Sequence, residues 1–312
     1  MWVAVLIVSM NRKTIPTVIV VAGPTAVGKT AVAIELAKKL GTSIVSADSR
    51  QCYKEMNIGT AKPSAEELQA VKHYFIDEFS VRENISAADY EVLALRYLDE
   101  IFLSNDYAVV CGGTGLYIKA LTEGLDEMPG VDDRIEKEVN ELYIQNGLGW
   151  LQQTTQEEDP IFYAAAEIGN PARLLRALIF KRSTGKSITA FRTREKKQRH
   201  FNIVKCALEL PRPQLYNRIN SRTDEMMKLG LLDEVISLLP FRHHKNLQTV
   251  GYSELFDYLN GKYALEEAIE KIKQHTRNYA KRQLTWFRKD KEYNWVDAGA
   301  TNLSEKILAL KK

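Results

Sequence analysis

The chain has 312 residues, 45% hydrophobic and 27% charged, which suggests about two structural units able to bury real cores without disulfides or metal staples. Lys and Arg number 43 against 40 Asp and Glu, a net +3, so overall charge selects no class of partner and local patches must decide. Cys52, Cys111 and Cys206 are far apart and form no C-x-x-C pair, which excludes a disulfide scaffold and a zinc ribbon and fits a reducing cytosol; with no run of about 18 apolar residues, a membrane span is excluded too.

Residues 1–16 begin with a short apolar run, Trp2 to Val8, with no basic residue before it and no cleavage site after it; they are expected to be a frayed or artefactual extension. Val18 to Ala22 is an uninterrupted, mostly β-branched run, the pattern of a parallel strand buried on both faces. Helical spacing from Thr30 to Leu40 closes at Gly41. Ser43 to Ala47 reads as a second strand ending at Asp48, Ala87 to Leu103 as a helix, and Tyr107 to Cys111 as a third strand ending at Gly112-Gly113. Strands alternating with helices predict a doubly wound α/β sheet over 17–124. From 125 to 167 the strand signal gives way to charged helical stretches broken at Gly147 and Gly149, a helical insertion. In 168–312 the core resumes with a strand at Phe201 to Leu210, followed by helices over Gln214 to Leu239, Val250 to Leu259 and Leu265 to Arg288.

Gly23-Pro24-Thr25-Ala26-Val27-Gly28-Lys29-Thr30 fits G-x-x-x-x-G-K-[ST] in full, between a strand and a helix. Its glycines let backbone N–H groups wrap a phosphate, Lys29 reaches the terminal phosphates, and the Thr30 hydroxyl is placed for Mg²⁺. The fold class expected is therefore α/β, a P-loop NTPase-like core with a parallel sheet plus a helical insertion and a helical C-terminal region. NTP hydrolases hold Mg²⁺ with a carboxylate at a nearby strand end, but the strand ending at Cys111 runs into Gly112-Gly113-Thr114-Gly115. Asp48, at the end of the second strand, is the candidate that remains, for Mg²⁺ or as a base facing an acceptor.

From Asp48 the sequence continues Ser49-Arg50-Gln51-Cys52-Tyr53 and on to Asn57-Ile58-Gly59-Thr60-Ala61-Lys62-Pro63. With the phosphate loop, this resembles the tRNA dimethylallyltransferase (isopentenyltransferase) family. Matches follow in family order at His73–Asp77, Ile85–Tyr90, Gly112–Tyr117, Arg173–Leu178, Leu215–Arg222, Gly230–Val235, Val250–Tyr252 and Ala280–Arg288, covering about residues 17–290. Two departures stand out: Asn170 where the family often has Asp, a cap of similar strength, and Ile179 in place of a common Glu.

The resemblance implies transfer of a dimethylallyl group from its diphosphate to N6 of adenosine 37, beside the tRNA anticodon. The phosphate loop, Gly23 to Thr30, then holds a leaving group, and no NTP is split. Asp48 would take the amine proton, because the adenine amine's lone pair is delocalised into the ring. Lys29, Thr30 and Arg222 would stabilise the departing diphosphate. Thr114 would lie where base and diphosphate meet, and Ser49, Arg50 and Gln51 would hold the flipped-out adenine. Ala172, Arg173, Leu174, Leu175 and Arg176 would lie against tRNA, with a surface ion pair as the alternative for the two arginines. The implied cofactor is Mg²⁺, and the implied partners are the anticodon stem-loop and dimethylallyl diphosphate. A cytoplasmic monomer with no membrane partner is expected.

Local charge agrees with an RNA partner. Residues 181–200 hold eight Lys/Arg and one Glu, and residues 271–291 eight Lys/Arg and one Asp, +7 each. Among the aromatics interleaved there, helical spacing assigns Trp286 to the core. Three rivals remain at this point. A P-loop kinase would use Asp48 to activate a hydroxyl; a prenyltransferase of free adenine nucleotides would lack need of the insertion and the basic runs; a non-catalytic RNA-binding protein would not need Lys29, Thr30 and Asp48 together.

Overall fold

Thr17–Ala22 forms β1, with Val18, Val20 and Ala22 on one face and Ile19 and Val21 on the other, all fully buried. That two-sided burial explains the unbroken apolar run. β1 pairs in parallel with β4 (Tyr107–Gly112) and β5 (Asn202–Glu209). The full sheet adds β2 (Ile44–Ser46), β3 (His73–Tyr74) and β6 (Asn294–Asp297) in the order β3-β2-β4-β1-β5-β6, all parallel. β3 and β6, two and four residues long, escaped the sequence reading because so short a segment carries no period. The structure, a computed structural model, describes residues 14–193 and 195–310. The expected extension 1–16 lies outside them except for Thr14, Ile15 and Pro16, and so does Arg194.

Each face of the sheet has its own core. On one, α3 (Ala87–Phe102) and α4 (Gly115–Glu123) bury Tyr90, Leu98, Ile118 and Leu121 against Val20 and Val110. On the other, α1 (Lys29–Leu40) buries Ala33, Leu36 and Ala37 against Ile19, Val21 and Val109. Between β2 and β3 lies α2 (Ala65–Ala70). Ser86 starts α3 with a reciprocal capping box to Asp89.

The chain divides into two compact units, residues 1–123 with 198–312, and residues 124–197. The second runs well past the expected boundary at 167. Its helices α5 (Asp133–Glu158), α6 (Pro160–Ala165) and α7 (Pro171–Thr184) share a core of Val139, Leu151, Phe162, Leu174 and Phe180, so α7 belongs with the insertion and not with the resumed core. Gly147, at φ 74° and ψ −169°, breaks α5 where the sequence placed a break. Asn170 Oδ1 accepts from Arg173 N at 3.3 Å and caps α7, as its chemistry allows.

After β5 come α8 (Arg212–Lys228), α9 (Leu231–Ser237), α10 (Tyr252–Leu259) and α11 (Leu265–Lys289), with α12 (Leu303–Leu308) following β6. The expected single helix 214–239 is split by Gly230, whose φ of 96° ends one helix and starts the next.

Candidate active site

The carboxyl ends of β1, β2 and β4 open on the same sheet edge, where ligands bind in such folds. The loop after β1 turns through Gly23 (φ 143°), Ala26 (φ 64°) and Gly28 (φ 107°) into the N-terminus of α1. A Cβ at Gly23 would stand 2.7 Å from Leu208 O, so close contact with β5 excludes larger residues there. Lys29 Nζ donates to Pro24 O at 2.8 Å and arches over the loop, while Arg218 Nη1 braces it from outside through Val27 O at 3.2 Å. Burial pulls the Lys29 ammonium down to about 8, with Cys111 and Asp48 opposing and Arg222 adding to the fall. Burial also lowers the Arg222 guanidinium, with Glu225 opposing and Arg218 adding to the fall.

Asp48 leaves β2 one residue after Ala47, and its Oδ1 accepts from Arg50 N (2.9 Å) and Gln51 N (3.3 Å). That turn fixes the carboxylate; Oδ2 has no hydrogen-bond partner among the described residues. Thr114 Oγ1 accepts from Ser49 N at 3.0 Å, joining the ends of β2 and β4. The glycines around Thr114 are steric necessities more than turn residues. A Cβ on Gly112 would meet Ala47 O at 2.2 Å, one on Gly113 would meet Gln283 Nε2 at 2.2 Å, and one on Gly115 would meet the Trp286 ring at 2.2 Å. Trp286 is thus not a core residue: it is 40% exposed, with its indole laid against this strand end.

A cavity of about 440 Å³ brings together Thr25 and Ala26, Asp48, Ser49 and Arg50, Arg222, and Tyr279 and Arg282 of α11. Burial first and then Asp48 push the Tyr279 phenol up to about 12, with Arg50, Arg282 and the Thr114 hydroxyl opposing. Lys29, Thr30, Thr114 and Gln51 lie outside its lining. Gln51 is engaged within the protein: its Nε2 donates to Thr60 O (3.2 Å) and Ala61 O (3.0 Å), and its Oε1 accepts from Ser46 Oγ (3.4 Å).

Of the α7 residues, Ala172, Arg173 and Arg176 are exposed or half-exposed and Leu175 is half-buried, whereas Leu174 is fully buried in the unit's core, which withdraws its side chain from any partner. Arg173 pairs with Glu167 at 2.9 Å, not with a ligand of its own. Two cations of the 181–200 run are likewise spent internally. Arg182 holds Glu158 with both Nε and Nη2, and Arg199 reaches Glu91, Ala120 O and Leu121 O.

Sequence reasoning missed Gln283, Tyr279, Arg282, and Glu234. The Glu234 carboxylate accepts from Asn57 N, Ile58 N, Gly59 N and Tyr252 Oη, so it gathers three of the family motifs around one side chain.

Oxygen donors for a hard divalent cation are available in the Thr30 hydroxyl and the unengaged Asp48 Oδ2, so the residues fit Mg²⁺. A second acidic group, Glu123, Asp290 and Glu292, has oxygens within 4.8 Å of one another. It already surrounds the buried Lys205 ammonium, at 3.1, 2.7 and 2.7 Å. Burial works against that charge, yet the hydrogen bonds to Asp290, Glu292 and Glu123 prevail and raise the Lys205 pKa, so the group is an ion-pair cluster already built around an internal cation.

Fold and cradle define a phosphate-loop α/β protein with a carboxylate at the end of β2, one strand removed from β1. Residues 51–290 match the family model of IPP transferase, and the chain belongs to that family. The tRNA dimethylallyltransferase of Cytophaga hutchinsonii is 46% identical over 90% of this chain and 93% of its own. That of Christiangramia forsetii is 46% identical over 88% and 91%. The solved tRNA isopentenylpyrophosphate transferase of Bacillus halodurans is 36% identical, with a TM-score of 0.68 over 94% of each chain. A eukaryotic dimethylallyltransferase acting on tRNA, 24% identical, shares the fold with a TM-score of 0.77 over 94% of this chain and 78% of that one.

Proposed function

We propose that this enzyme transfers a dimethylallyl group from dimethylallyl diphosphate to N6 of adenosine 37 in the anticodon stem-loop of tRNA, releasing diphosphate. The observation that carries the reading is one cavity bordered by the phosphate loop, by Arg222 and by the strand-end carboxylate Asp48. A phosphate loop alone suits any nucleotide enzyme; with a carboxylate across the same cavity it suits a polyphosphate leaving group facing an acceptor that must lose a proton.

The N6–C1 bond forms as the C1–O bond to diphosphate breaks. Asp48 Oδ2 takes the amine proton, while its Oδ1 stays in the turn that aims it. Lys29, released from Pro24 O, and Arg222 meet the charge that gathers on the leaving group, together with the loop N–H groups. Mg²⁺, which the Thr30 hydroxyl would hold, would supply further charge neutralisation on the diphosphate. Ser49 and Arg50 border the cavity on the acceptor side and hold the flipped base, and Gln51 supports that wall from behind. Thr114 keeps Ser49 in register. Arg173 and Arg176 with Ala172 meet RNA phosphates. A tRNA substrate and three unpaired thiols support a cytoplasmic location for the enzyme, and a monomer is part of the same proposal.

The test is incubation with tRNA, Mg²⁺ and labelled dimethylallyl diphosphate, followed by nucleoside analysis. Label in N6-dimethylallyladenosine supports the reading. ATP turnover with a small hydroxyl acceptor and no label in tRNA would overturn it.

A further inference from the structure

Gln283 is 6% exposed in the C-terminal part of α11 and spans two segments that the sequence separates widely. Its Oε1 accepts from Thr25 N of the phosphate loop at 2.8 Å, and its Nε2 donates to Gly113 O at 2.9 Å. One amide thus uses its acceptor on the diphosphate side of the cavity and its donor on the strand end that carries Thr114. Thr114 in turn holds Ser49, next to Asp48. Gly113 has no side chain because the Gln283 amide occupies the space where its Cβ would stand. Its helical neighbours add to the grip: Tyr279 borders the cavity, and Trp286 lies against Gly115.

We infer that Gln283 is a positioning residue for the transfer reaction, coupling the conformation of the phosphate loop to the placement of Thr114 and Ser49. This inference rests on the proposed transferase reading and deepens it. Physically, a loop that cradles phosphate through its backbone has several nearby conformations, and a buried amide with both ends engaged selects one. The same amide ties that choice to the strand end, so the leaving group and the acceptor are aligned by one side chain. Misplacing either by a fraction of an ångström is costly when the reaction depends on a near-attack geometry. Both polar atoms of Gln283 are engaged within the protein, which is why its effect is on alignment and not on contact with substrate.

Two variants test it. Gln283→Met keeps length and volume but leaves Thr25 N–H and Gly113 C=O without their partner. Gly113→Ala disturbs the bridge from its other end, by driving a methyl into the amide. Each should raise KM for dimethylallyl diphosphate and lower kcat, both about tenfold, while Kd for an anticodon stem-loop stays near the parent's and the melting temperature falls by only the few degrees that two unpartnered backbone groups cost. Hydrogen exchange at the Thr25 amide should quicken in Gln283→Met without quickening in the β1 amides. Combined, the two substitutions should cost little more than Gln283→Met alone, because they break one coupling. Parent-like kinetics, fully additive losses, or a fall in melting temperature matched by weaker stem-loop binding would overturn the assignment. Should the parent itself fail to transfer the prenyl group, the functional reading fails. The exchange at Thr25, and the binding of inorganic diphosphate by parent and variant, would still decide whether Gln283 sets the loop.

Discussion

In the strand-end cradle, polar groups are held by hydrogen bonds to the backbone; in the unit of residues 124–197, charge is carried on long, exposed side chains. Asp48 is fixed by two N–H groups of its own turn and Thr114 by Ser49 N. Arg173 and Arg192, by contrast, are exposed on stems of several rotatable bonds. The first kind of site is preorganised and loses activity in large steps when one group is removed. The second is a field of screened charges and should lose affinity in small ones.

The sharpest break of this contrast is Asp48→Asn. Size and the turn acceptor are kept and the proton acceptor is lost, so kcat should fall about 10²–10⁴-fold with stem-loop binding largely retained. Near-parent kcat would remove Asp48 from the role. Next in size are Lys29→Ala and Arg222→Ala, each expected to lower kcat and kcat/KM for the diphosphate about 10²–10³-fold, since both cations act most strongly as the leaving group departs. Steady-state kinetics in both substrates separate these from a binding defect. Should ATP bind far more tightly than dimethylallyl diphosphate and be turned over, a kinase reading would displace the transferase.

The cradle was legible because its signals are local: Gly23 and Gly28 take backbone angles that other residues rarely adopt, and Lys29-Thr30 and a strand-end carboxylate stand at fixed spacing from them. Gln283 and Glu234 were not legible, for their partners lie as far as 258 and 177 residues away, and a lone Gln or Glu on a helix signals nothing locally. Trp286 misled for a related reason. Helical spacing showed which face it shares, but not that this face meets a row of glycines where a ring can lie half-exposed. The insertion's far boundary was misplaced because α7 carries the periodic pattern of any amphipathic helix. Only its packing with Val139, Leu151 and Phe162 assigns it.

A smaller effect belongs to Glu234, which resembles the cradle in construction but lies behind it. Glu234→Ala leaves Asn57 N, Ile58 N, Gly59 N and the Tyr252 hydroxyl without their acceptor. The loss should be about 1–3 kcal/mol, seen as a melting temperature lower by roughly 2–10 °C. The carbonyls of Thr60 and Ala61 that hold Gln51 belong to the same loop, so KM for tRNA should rise more than KM for the diphosphate. A rise confined to the diphosphate would place the loop's influence on the other side of the cavity.

The smallest expected effect separates two sets of cations within a single run of sequence. Arg182 is bound to Glu158 and Glu138, and Arg199 to Glu91 and two carbonyls, so their removal should lower stability and leave the salt dependence of RNA binding nearly unchanged. Arg192, Lys196 and Lys197 are exposed. Arg194, in the same run, lies outside the described residues. Neutralising these four should raise KM for tRNA and flatten the slope of log Kd against log salt, because each phosphate that the protein ceases to neutralise keeps its share of counterions, about one apiece. Saturated kcat should hardly move, since none of the four is assigned to the reacting carbon. The measurement is Kd for an anticodon stem-loop over several salt concentrations, for the parent, the fourfold variant and Arg182→Ala. A flattened slope in the fourfold variant alone would show that the cations of 192–197 meet RNA and that Arg182 does not. Equal slopes in all three would make the run a solvated face and leave Arg173 and Arg176 as the cations that meet the phosphates.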